Sequence, residues 1–252
     1  TPKPSSAASD VYKRQLSADQ FIRPMVHYAT LTGPAKDIRF GNDLGEINYL
    51  QPVSVFGTYN SAANIEIFGG AAEVNGTFNS VGGFEIISSG ATSITGTIAA
   101  NSGVQVVAAS IYSNASMTVS GSGIDILLKA KGDITSEASK VYTTNTGDII
   151  LWADYDSATS LGGAIDTGNS TVFKTKNVAT ASIPATAAAL SADSGGGRII
   201  MGGGPGAADD GDVPGGHAFK SGGNGVRLGV SAILYSGGGL VSISGKASCL
   251  LY

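Results

Sequence analysis

Three aspartates and one histidine lie close together in the second half of the sequence, and their side chains are the ones best suited to chemistry. They are Asp209, Asp210, Asp212 and His217. Two neighbouring carboxyl groups can cleave a sugar chain when one protonates the leaving oxygen and the other activates a water molecule. A polysaccharide lyase or a glycoside hydrolase is therefore one function that the sequence must be tested for.

These acids and the histidine loosely resemble the site of pectin-cleaving β-helix hydrolases, but the rest of that family's pattern is missing. Asn145-Thr146 is followed by Gly147, where the family has an aspartate. The nearest match to the family's Arg-Ile-Lys is Arg198-Ile199-Ile200, which precedes the acids instead of following them. We therefore predict no catalytic residue and expect a solvated acidic loop. A polysaccharide-active β-helix enzyme stays the alternative function.

The same aspartates are the calcium candidates of the sequence. Asp209, Asp210 and Asp212 place three carboxylates within four residues, and calcium takes six to eight oxygen ligands. An EF-hand is excluded because the twelfth position counted from Asp210 is Ser221. A Gly-Gly-x-Gly-x-Asp calcium roll is excluded because Arg227 stands where that motif needs aspartate. No cofactor is predicted, and calcium is the one metal to consider.

Trp152 and Tyr155 are the candidates for contact with a ligand. Trp152 is expected to share an outward-facing column with Lys129, and with Tyr155 beside it the two rings could form a platform on which a sugar stacks. The alternative is that the rings pack against a neighbouring loop. Asp154 and Asp156, which flank Tyr155, form a weaker acidic cluster than the one described above.

The composition excludes several classes of protein. The 252 residues include 37 glycines, and 42% of the residues are hydrophobic while only 13% are charged. So many glycines disfavour helices, and so many apolar residues disfavour a disordered chain. A net charge of −4 without a basic stripe argues against nucleic-acid binding. No apolar run approaches the roughly 18 residues of a membrane span. The composition therefore favours an all-β chain.

A repeat of about twenty residues organises this chain. Residues 83–87, 103–107 and 123–127 share the order Gly, apolar, polar, apolar, apolar and begin twenty residues apart. A second strand repeats at the same spacing, since residues 74–78 are followed by the similar residues 94–98. Two or three alternating strands per repeat predict a right-handed parallel β-helix, a solenoid of about eleven coils. An antiparallel sandwich or barrel is the alternative, but it gives no reason for the repeat.

The alternation also predicts which residues face the interior of the solenoid. Three aliphatic residues should stack inside it: Ile86, Val106 and Ile126. Three polar residues should form an outward column: Glu85, Gln105 and Asp125. Three apolar residues fall on the outer face, where polar residues are expected: Ile87, Val107 and Leu127. Either a corner of the coil lies there, or an insertion covers that face.

Two stretches interrupt the repeat. Residues 178–193 are rich in alanine and contain Pro184, which favours a protruding loop or a short helix. Residues 202–223 are rich in glycine, proline and aspartate, which favours a loop that leaves the rod. Loops of this kind usually carry the binding function of a solenoid protein.

Four segments resemble the repeat shaft of filamentous haemagglutinin-like adhesins, which are large bacterial surface proteins of the two-partner secretion type. They are residues 124–135, 147–154, 195–204 and 225–228. The resemblance implies a structural or adhesive shaft in a secreted, cell-surface protein, and it brings no catalytic residues. It further implies an outer-membrane transporter for the parent protein and, as partner, a glycan or protein on a host or neighbouring cell. The family's secretion domain, with its Asn-Pro motifs, is not visible.

Both ends of the sequence resemble translated adapter DNA from a sequencing library. Residues 5–15 can be encoded by the codons of a common tagmentation adapter, and residues 249–252 by the reverse complement of its final segment. We therefore expect residues 1–15 and 248–252 to lie outside the fold and residues 16–247 to form the β-helix fragment. The only cysteine, Cys249, then falls outside the native stretch, so neither a disulfide nor a thiol site is predicted.

Overall fold

Three β-sheets make up the fold in the computed structural model, and the prediction of an all-β chain is confirmed. The structure describes residues 25–31, 37–41, 51–156, 162–183, 186, 189, 192–207, 211–220 and 223–247. The segments predicted to be adapter-derived, 1–15 and 248–252, lie outside these ranges. Apart from a 3₁₀ turn at Thr180–Ser182, the elements within the described ranges are strands.

Within the described residues, sheet A contains eleven strands, and all of its pairings are parallel. Its strands are β1 (Met25–Leu31), β3 (Val53–Ser61), β5 (Ala72–Ser80), β7 (Ala91–Ala100), β9 (Ser110–Ser122), β11 (Ile134–Ser136), β12 (Val141–Asn145), β15 (Ile165–Thr167), β16 (Val172–Lys174), β20 (Val226–Arg227) and β21 (Ile233–Tyr235).

Within the described residues, sheet B contains nine strands. They are β2 (Ile38–Gly41), β4 (Ile65–Gly69), β6 (Phe84–Ser88), β8 (Val104–Ala108), β10 (Ile126–Ala130), β13 (Ile149–Ala153), β17 (Ile199–Gly206), β22 (Val241–Ile243) and β18 (Pro214–Gly216). The pairings of sheet B are parallel except for that between its last two neighbours at one edge, β17 and β18. A small sheet C joins β14 (Gly162–Gly163), β19 (Ala218–Lys220) and β23 (Gly245–Ala247).

The chain passes back and forth between sheets A and B, and we call each passage through both sheets a coil. Strands β3 and β4 of one coil pair in parallel with β5 and β6 of the next. In sheet B, Phe84 lies opposite Val104, and in sheet A, Val74 lies opposite Ile94. Both pairs are twenty residues apart, so the predicted repeat is confirmed for these coils.

The third copy of the repeat does not pair at the predicted spacing of twenty residues. Val104 lies opposite Ile126 and Val106 lies opposite Leu128, so the spacing here is 22 residues instead of 20. Ile126 is fully buried, as predicted. Its neighbours across the sheet, however, are Val104 and Ile149, and the prediction that it stacks on Val106 is wrong. The physical reason is the length of β9, which has 13 residues where β7 has 10, so that β10 begins later in the coil.

The core lies between sheets A and B. The first and third residues of six successive sheet B strands are buried in it: Ile65 and Ile67, Phe84 and Ile86, Val104 and Val106, Ile126 and Leu128, Ile149 and Leu151, and Ile199 and Met201. On the sheet A side, the rings of Tyr59 and Phe78 stack with centroids 5.3 Å apart. Because the coils pair in register, each apolar side chain packs on a similar one in the neighbouring coil.

From β9 onward, sheet A divides into two rows of shorter strands. One row contains β11, β15 and β20, and the other contains β12, β16 and β21. A buried hydrogen-bond cluster joins the two rows, since the Tyr142 hydroxyl lies 2.8 Å from both Ser113 Oγ and Ser136 Oγ. The coils thus change from two strands to three, within the predicted range of two or three.

Both predicted excursions are insertions within single coils. Ile149 lies opposite Ile199, and Ile199 lies opposite Val241, so the sheet B register continues across each long gap. The described part of 178–193 contains the 3₁₀ turn and no strand. Within 202–223, in contrast, the prediction of a loop is wrong, because much of the stretch forms strands. These insertions lower the number of coils below the predicted eleven. In the described ranges, sheet B has eight parallel strands, one for each coil.

Gly96→Ala is expected to destabilise the chain by about 1–3 kcal/mol. Gly96 lies opposite Gly76 in sheet A, has a φ of +111°, and a Cβ there would lie 2.0 Å from the Gly76 carbonyl oxygen. Gly123→Ala is the control, because φ is also positive at +71° but a Cβ meets no atom within 4 Å. Urea denaturation compares the two variants. Equal losses would show that the close approach of the coils is not what requires glycine.

Candidate functional site

One column of outward side chains on sheet B changes from acidic to apolar along the molecule. Its members, each opposite the next across the sheet, are Glu66, Glu85, Gln105, Leu127, Ile150 and Ile200. Glu85 and Gln105 were predicted here and are confirmed. Asp125 was predicted to follow them, and this is wrong, because Leu127 occupies that place. Because β9 is three residues longer than β7, Asp125 lies just before β10.

A two-stranded arm folds back over the apolar half of this column. We define the arm as residues 202–207 and 211–216, in which the end of β17 pairs antiparallel with β18. Beneath it lies a second apolar cluster, with Ile150, Trp152, Ile200 and Val213 buried and Leu127, Tyr155 and Ala207 packed against them. Of the two alternatives for the outward Leu127, coverage by an insertion is the one observed.

Trp152 is buried beneath the arm. It is 2% exposed, and its indole Nε1 donates a hydrogen bond of 2.7 Å to the Gly204 carbonyl oxygen. Lys129 Nζ lies 4.0 Å from the indole centroid, and Trp152 lies opposite Lys129 across the sheet, as predicted. The half-buried Tyr155 ring packs edge-on at 6.5 Å. The two rings thus pack against a neighbouring segment of the chain, which is the alternative that the sequence left open to a ligand platform.

An open groove of about 550 Å³ lies over the acidic half of the column, and we call it the acidic groove. Four carboxyl groups line it: Glu66, Glu85, Asp125 and Asp212. Leu127 and Ile150 add apolar surface. Glu66 forms an ion pair with Arg39, so part of the negative charge is compensated. The combination of carboxylates and apolar surface suits a ligand that carries hydrogen-bond donors or positive charge beside an apolar face.

Burial raises the pKa of two carboxyl groups in the acidic groove. The pKa of Glu85 is raised by burial and, to a smaller extent, by the neighbouring charge of Glu66. The pKa of Asp125 is also raised by burial, against the opposing effect of a hydrogen bond of 2.7 Å from the Asp148 backbone N–H to Asp125 Oδ1. Both ionised groups are thus held at some cost to the folded state.

Glu85→Gln is expected to stabilise the fold at pH 7 by a few tenths of a kcal/mol, a small gain because the site is partly solvated. When folding raises the pKa of a carboxyl group, as it does for Glu85, the protein becomes less stable as the pH rises above the pKa of that group in the unfolded chain. The gain should therefore vanish below about pH 4, where wild-type Glu85 is protonated in both states. Urea denaturation at pH 3.5 and pH 7 measures it, and a gain that is equal at both values would contradict the electrostatic cause.

The structure describes only some of the other residues that were predicted for chemistry. Asp209 and Asp210 lie outside the described residues, so the calcium candidates cannot be placed as a set. Asp212 lines the acidic groove, and the exposed His217 shares a hydrogen bond through Nδ1 with Ser244 Oγ. In the described ranges, no three His, Cys, Asp or Glu side chains come together as a metal site.

Asp154 and Asp156, the weaker acidic cluster of the sequence, lie at the end of β13. Asp156 forms an ion pair of 3.5 Å with Lys131. The pKa of Asp154 is raised by burial and then by the charge of Asp156. Asp154 also has a φ of +51°, which places it in a turn directly after β13. The arrangement is that of a turn beside an ion pair.

A ladder of side-chain to backbone hydrogen bonds precedes the strands of sheet B, and the sequence reasoning missed it. Asp125 accepts a hydrogen bond from the Asp148 N–H, and Asp148 accepts one of 2.6 Å from the Arg198 N–H. The Arg198 guanidinium also lies 2.7 Å from Asp148 Oδ2. The available signal was a charged residue directly before each of three strands. Aligning the coils on their strand starts, instead of on glycine, would have found it.

Comparison with protein-family models, with curated proteins and with solved structures gives no match to this chain. Among the residues that the structure places, no helix has the length and apolar character needed to cross a membrane.

Proposed function

We propose that residues 16–247 are a segment of a right-handed parallel β-helix that serves as the shaft of a large exported bacterial surface protein. The proposed class is that of the filamentous haemagglutinin-like adhesins. Adhesion is a property of the parent molecule in this proposal, assisted locally by residues 202–223. The parent leaves the cell through an outer-membrane transporter and meets a glycan or protein on a host or neighbouring cell.

The unbroken register of sheet B is the observation that carries this proposal. Matching positions pair in parallel from Ile38 in β2 to Val241 in β22, although the coils between them differ greatly in length. A shaft requires only such repetition, with insertions confined to the outside. Crossovers between parallel strands of one sheet are nearly always right-handed, which supports the proposed hand.

The arrangement of polar groups favours a shaft over an enzyme. Glycoside hydrolysis needs two carboxyl groups on either side of one glycosidic bond. In the described part of the acidic groove, Glu66 is held by Arg39 and Asp125 is held by the Asp148 backbone, so both acids support the stacking of neighbouring coils. Two of the four acids of the groove thus have a structural role between neighbouring coils.

Incubation with polysaccharides tests the proposal against the enzyme alternative. Pectins, alginates and other uronic-acid polymers, with and without calcium, are expected to release neither reducing ends nor unsaturated products. The denatured chain provides the blank, and a commercial lyase provides the positive control. Turnover that is abolished by Asp210→Ala or His217→Ala would overturn the shaft and establish a polysaccharide-active enzyme.

The gene itself offers a second test. Sequencing outward from this segment is expected to give a reading frame of about a thousand residues or more, because repeat shafts are long arrays of similar coils. A secretion domain should lie in the same frame. A short frame that ends soon after the last coil and adds paired acids would contradict the proposal.

A further inference from the structure

A small polar pocket of about 180 Å³ lies beside the row of sheet A formed by β11, β15 and β20. Its volume is that of about six water molecules, which is close to the size of one sugar ring with its hydroxyl groups. We call it the polar pocket. The side chains that give it this character are Asp133, Thr135, Asp166, Lys220, Asn224 and Arg227.

Two ion pairs neutralise the charge of the polar pocket. Asp133 pairs with Lys220 and Asp166 pairs with Arg227, so two negative and two positive charges cancel. Each pair uses only part of its hydrogen-bonding capacity, because a guanidinium has five N–H groups and a carboxylate has two oxygens. Within the described part of the chain, Asp166 Oδ1 accepts no hydrogen bond. The pocket therefore offers donors and acceptors without favouring a charged ligand.

Two neutral side chains of the polar pocket add further hydrogen-bonding groups. Neither the Thr135 hydroxyl nor the Asn224 amide has a hydrogen-bond partner among the residues that the structure describes. Thr135 lies opposite Asp166, which lies opposite Arg227, so these three side chains form one outward column. A sugar carries several hydroxyl groups, each of which both donates and accepts. It can therefore use all the kinds of polar group that this pocket presents.

An exposed aromatic ring extends the same column. Tyr112 lies opposite Thr135 on the preceding coil and is 41% exposed. It is the one aromatic residue among the exposed large hydrophobic side chains of the described ranges. Its hydroxyl donates a hydrogen bond of 2.6 Å to Glu137 Oε1, which holds the ring in place. Because neighbouring strands lie about 4.8 Å apart, this apolar ring is within reach of a second sugar joined to one in the pocket.

We infer that the polar pocket binds one ring of a neutral glycan and that Tyr112 packs against the next ring of the same glycan. This inference rests on the proposed function, which leaves a glycan or a protein as the adhesive partner, and it chooses the glycan. An anionic sugar is disfavoured, because its carboxylate must compete with Asp133 and Asp166 for the two cations.

Chemical-shift titration of the isotope-labelled full chain measures binding of neutral methyl glycosides, namely those of glucose, galactose, mannose and N-acetylglucosamine. At least one should bind and shift the side-chain amide signal of Asn224, which Asn224→Ala identifies by its loss. The double variant Thr135→Val/Asn224→Ala should weaken binding at least about tenfold, because two hydrogen bonds to the sugar are lost. Thr97→Val is the matched control. Thr97 is an exposed threonine of sheet A outside the pocket, so this variant should bind like the wild type.

Disaccharides test the role of Tyr112 separately. Cellobiose, lactose, mannobiose and diacetylchitobiose extend the same sugars by one ring. Tyr112→Ala should weaken the disaccharide that binds best about two- to tenfold and leave the methyl glycoside unchanged. Tyr112→Phe, which keeps the ring, should retain the disaccharide. Equal disaccharide binding by Tyr112→Ala and the wild type would overturn the assignment of this ring.

Far-UV circular dichroism of the same samples shows that each chain is folded. A folded wild type that binds none of the neutral sugars overturns the glycan site, as does a double variant that binds them unchanged. Binding of methyl glucuronide alone overturns the neutral class of ligand. These results leave the shaft intact, since its own test is the reading frame of the gene. If the double variant loses its β-spectrum, Asn224→Ala replaces it, because Asn224 is exposed and lies outside the strands.

Discussion

Ile126→Asp is expected to lower the free energy of unfolding by more than about 4 kcal/mol. Ile126 is fully buried between Val104 and Ile149, in a stack where the neighbouring side chains are aliphatic. A carboxylate there loses its hydration without gaining a partner, and the apolar contacts of the isoleucine are lost as well. Urea denaturation followed by circular dichroism measures the loss. Ile126→Val, which removes one methylene group, should cost about 0.5–1.5 kcal/mol.

Asp125→Asn is the matched control for this prediction. Burial raises the pKa of Asp125, so the ionised group costs the folded state free energy at neutral pH. Asparagine removes that charge, and its side-chain oxygen can still accept the hydrogen bond from the Asp148 N–H. The change should therefore be nearly neutral or slightly stabilising. If Asp125→Asn and Ile126→Asp had equal effects, the assignment of inward and outward residues would be wrong.

The strands and their inward residues could be predicted because the information is local. Alternation of polar and apolar residues over five positions decides which face of a strand is buried, and this holds for residues 84–88 and 104–108 alike. The second repeat, in which Val74 precedes Ile94 by twenty residues, fixed the pairing in sheet A for the same reason. Wherever the coil length stayed close to twenty, pattern and register agree.

The register after β9 could not be predicted from that period. The hydrophobic pattern fixes which face of a strand is buried, but the length of the preceding strand decides which residue it meets in the next coil, and β9 is three residues longer than β7. Residues 123–127 match the glycine pattern at the expected spacing, and yet Ile126 pairs two positions earlier than that spacing implies. At this point the Asp148 N–H of one coil donates a hydrogen bond to Asp125 of the coil before it. A repeat counted from glycine to glycine does not reveal this contact.

The position of the arm could not be predicted from the sequence pattern, for a different reason. Its main anchor joins Trp152 to Gly204, 52 residues apart, across the outer face of sheet B. The composition of residues 202–223 predicts flexibility and turns, because glycine and proline dominate it. Nothing in that composition says that the stretch turns back onto Ile150 and Ile200. The apolar outward residues were the one signal, and coverage by an insertion was the alternative that they left open.

Trp152→Ala is expected to destabilise the chain by about 3–5 kcal/mol and to release the arm. The indole fills the centre of the cluster beneath the arm, and its Nε1–H satisfies the Gly204 carbonyl oxygen. Trp152→Phe keeps most of the apolar volume and loses the hydrogen bond, so its cost should be smaller, about 1–2 kcal/mol. Denaturation by urea measures both losses, and amide hydrogen exchange in residues 213–216 reports whether the arm separates.

The wild-type chain provides an independent check, because Trp152 is its only tryptophan. Burial beneath the arm predicts a blue-shifted emission that acrylamide quenches weakly, and Trp152→Ala should abolish this emission. Val213→Ser, which weakens the arm's apolar contact without touching the indole, should shift the emission to the red and increase quenching. Strong quenching in the wild type would mean that the arm stands open in solution. The indole face would then be accessible, and the sugar platform predicted from the sequence would again describe this surface.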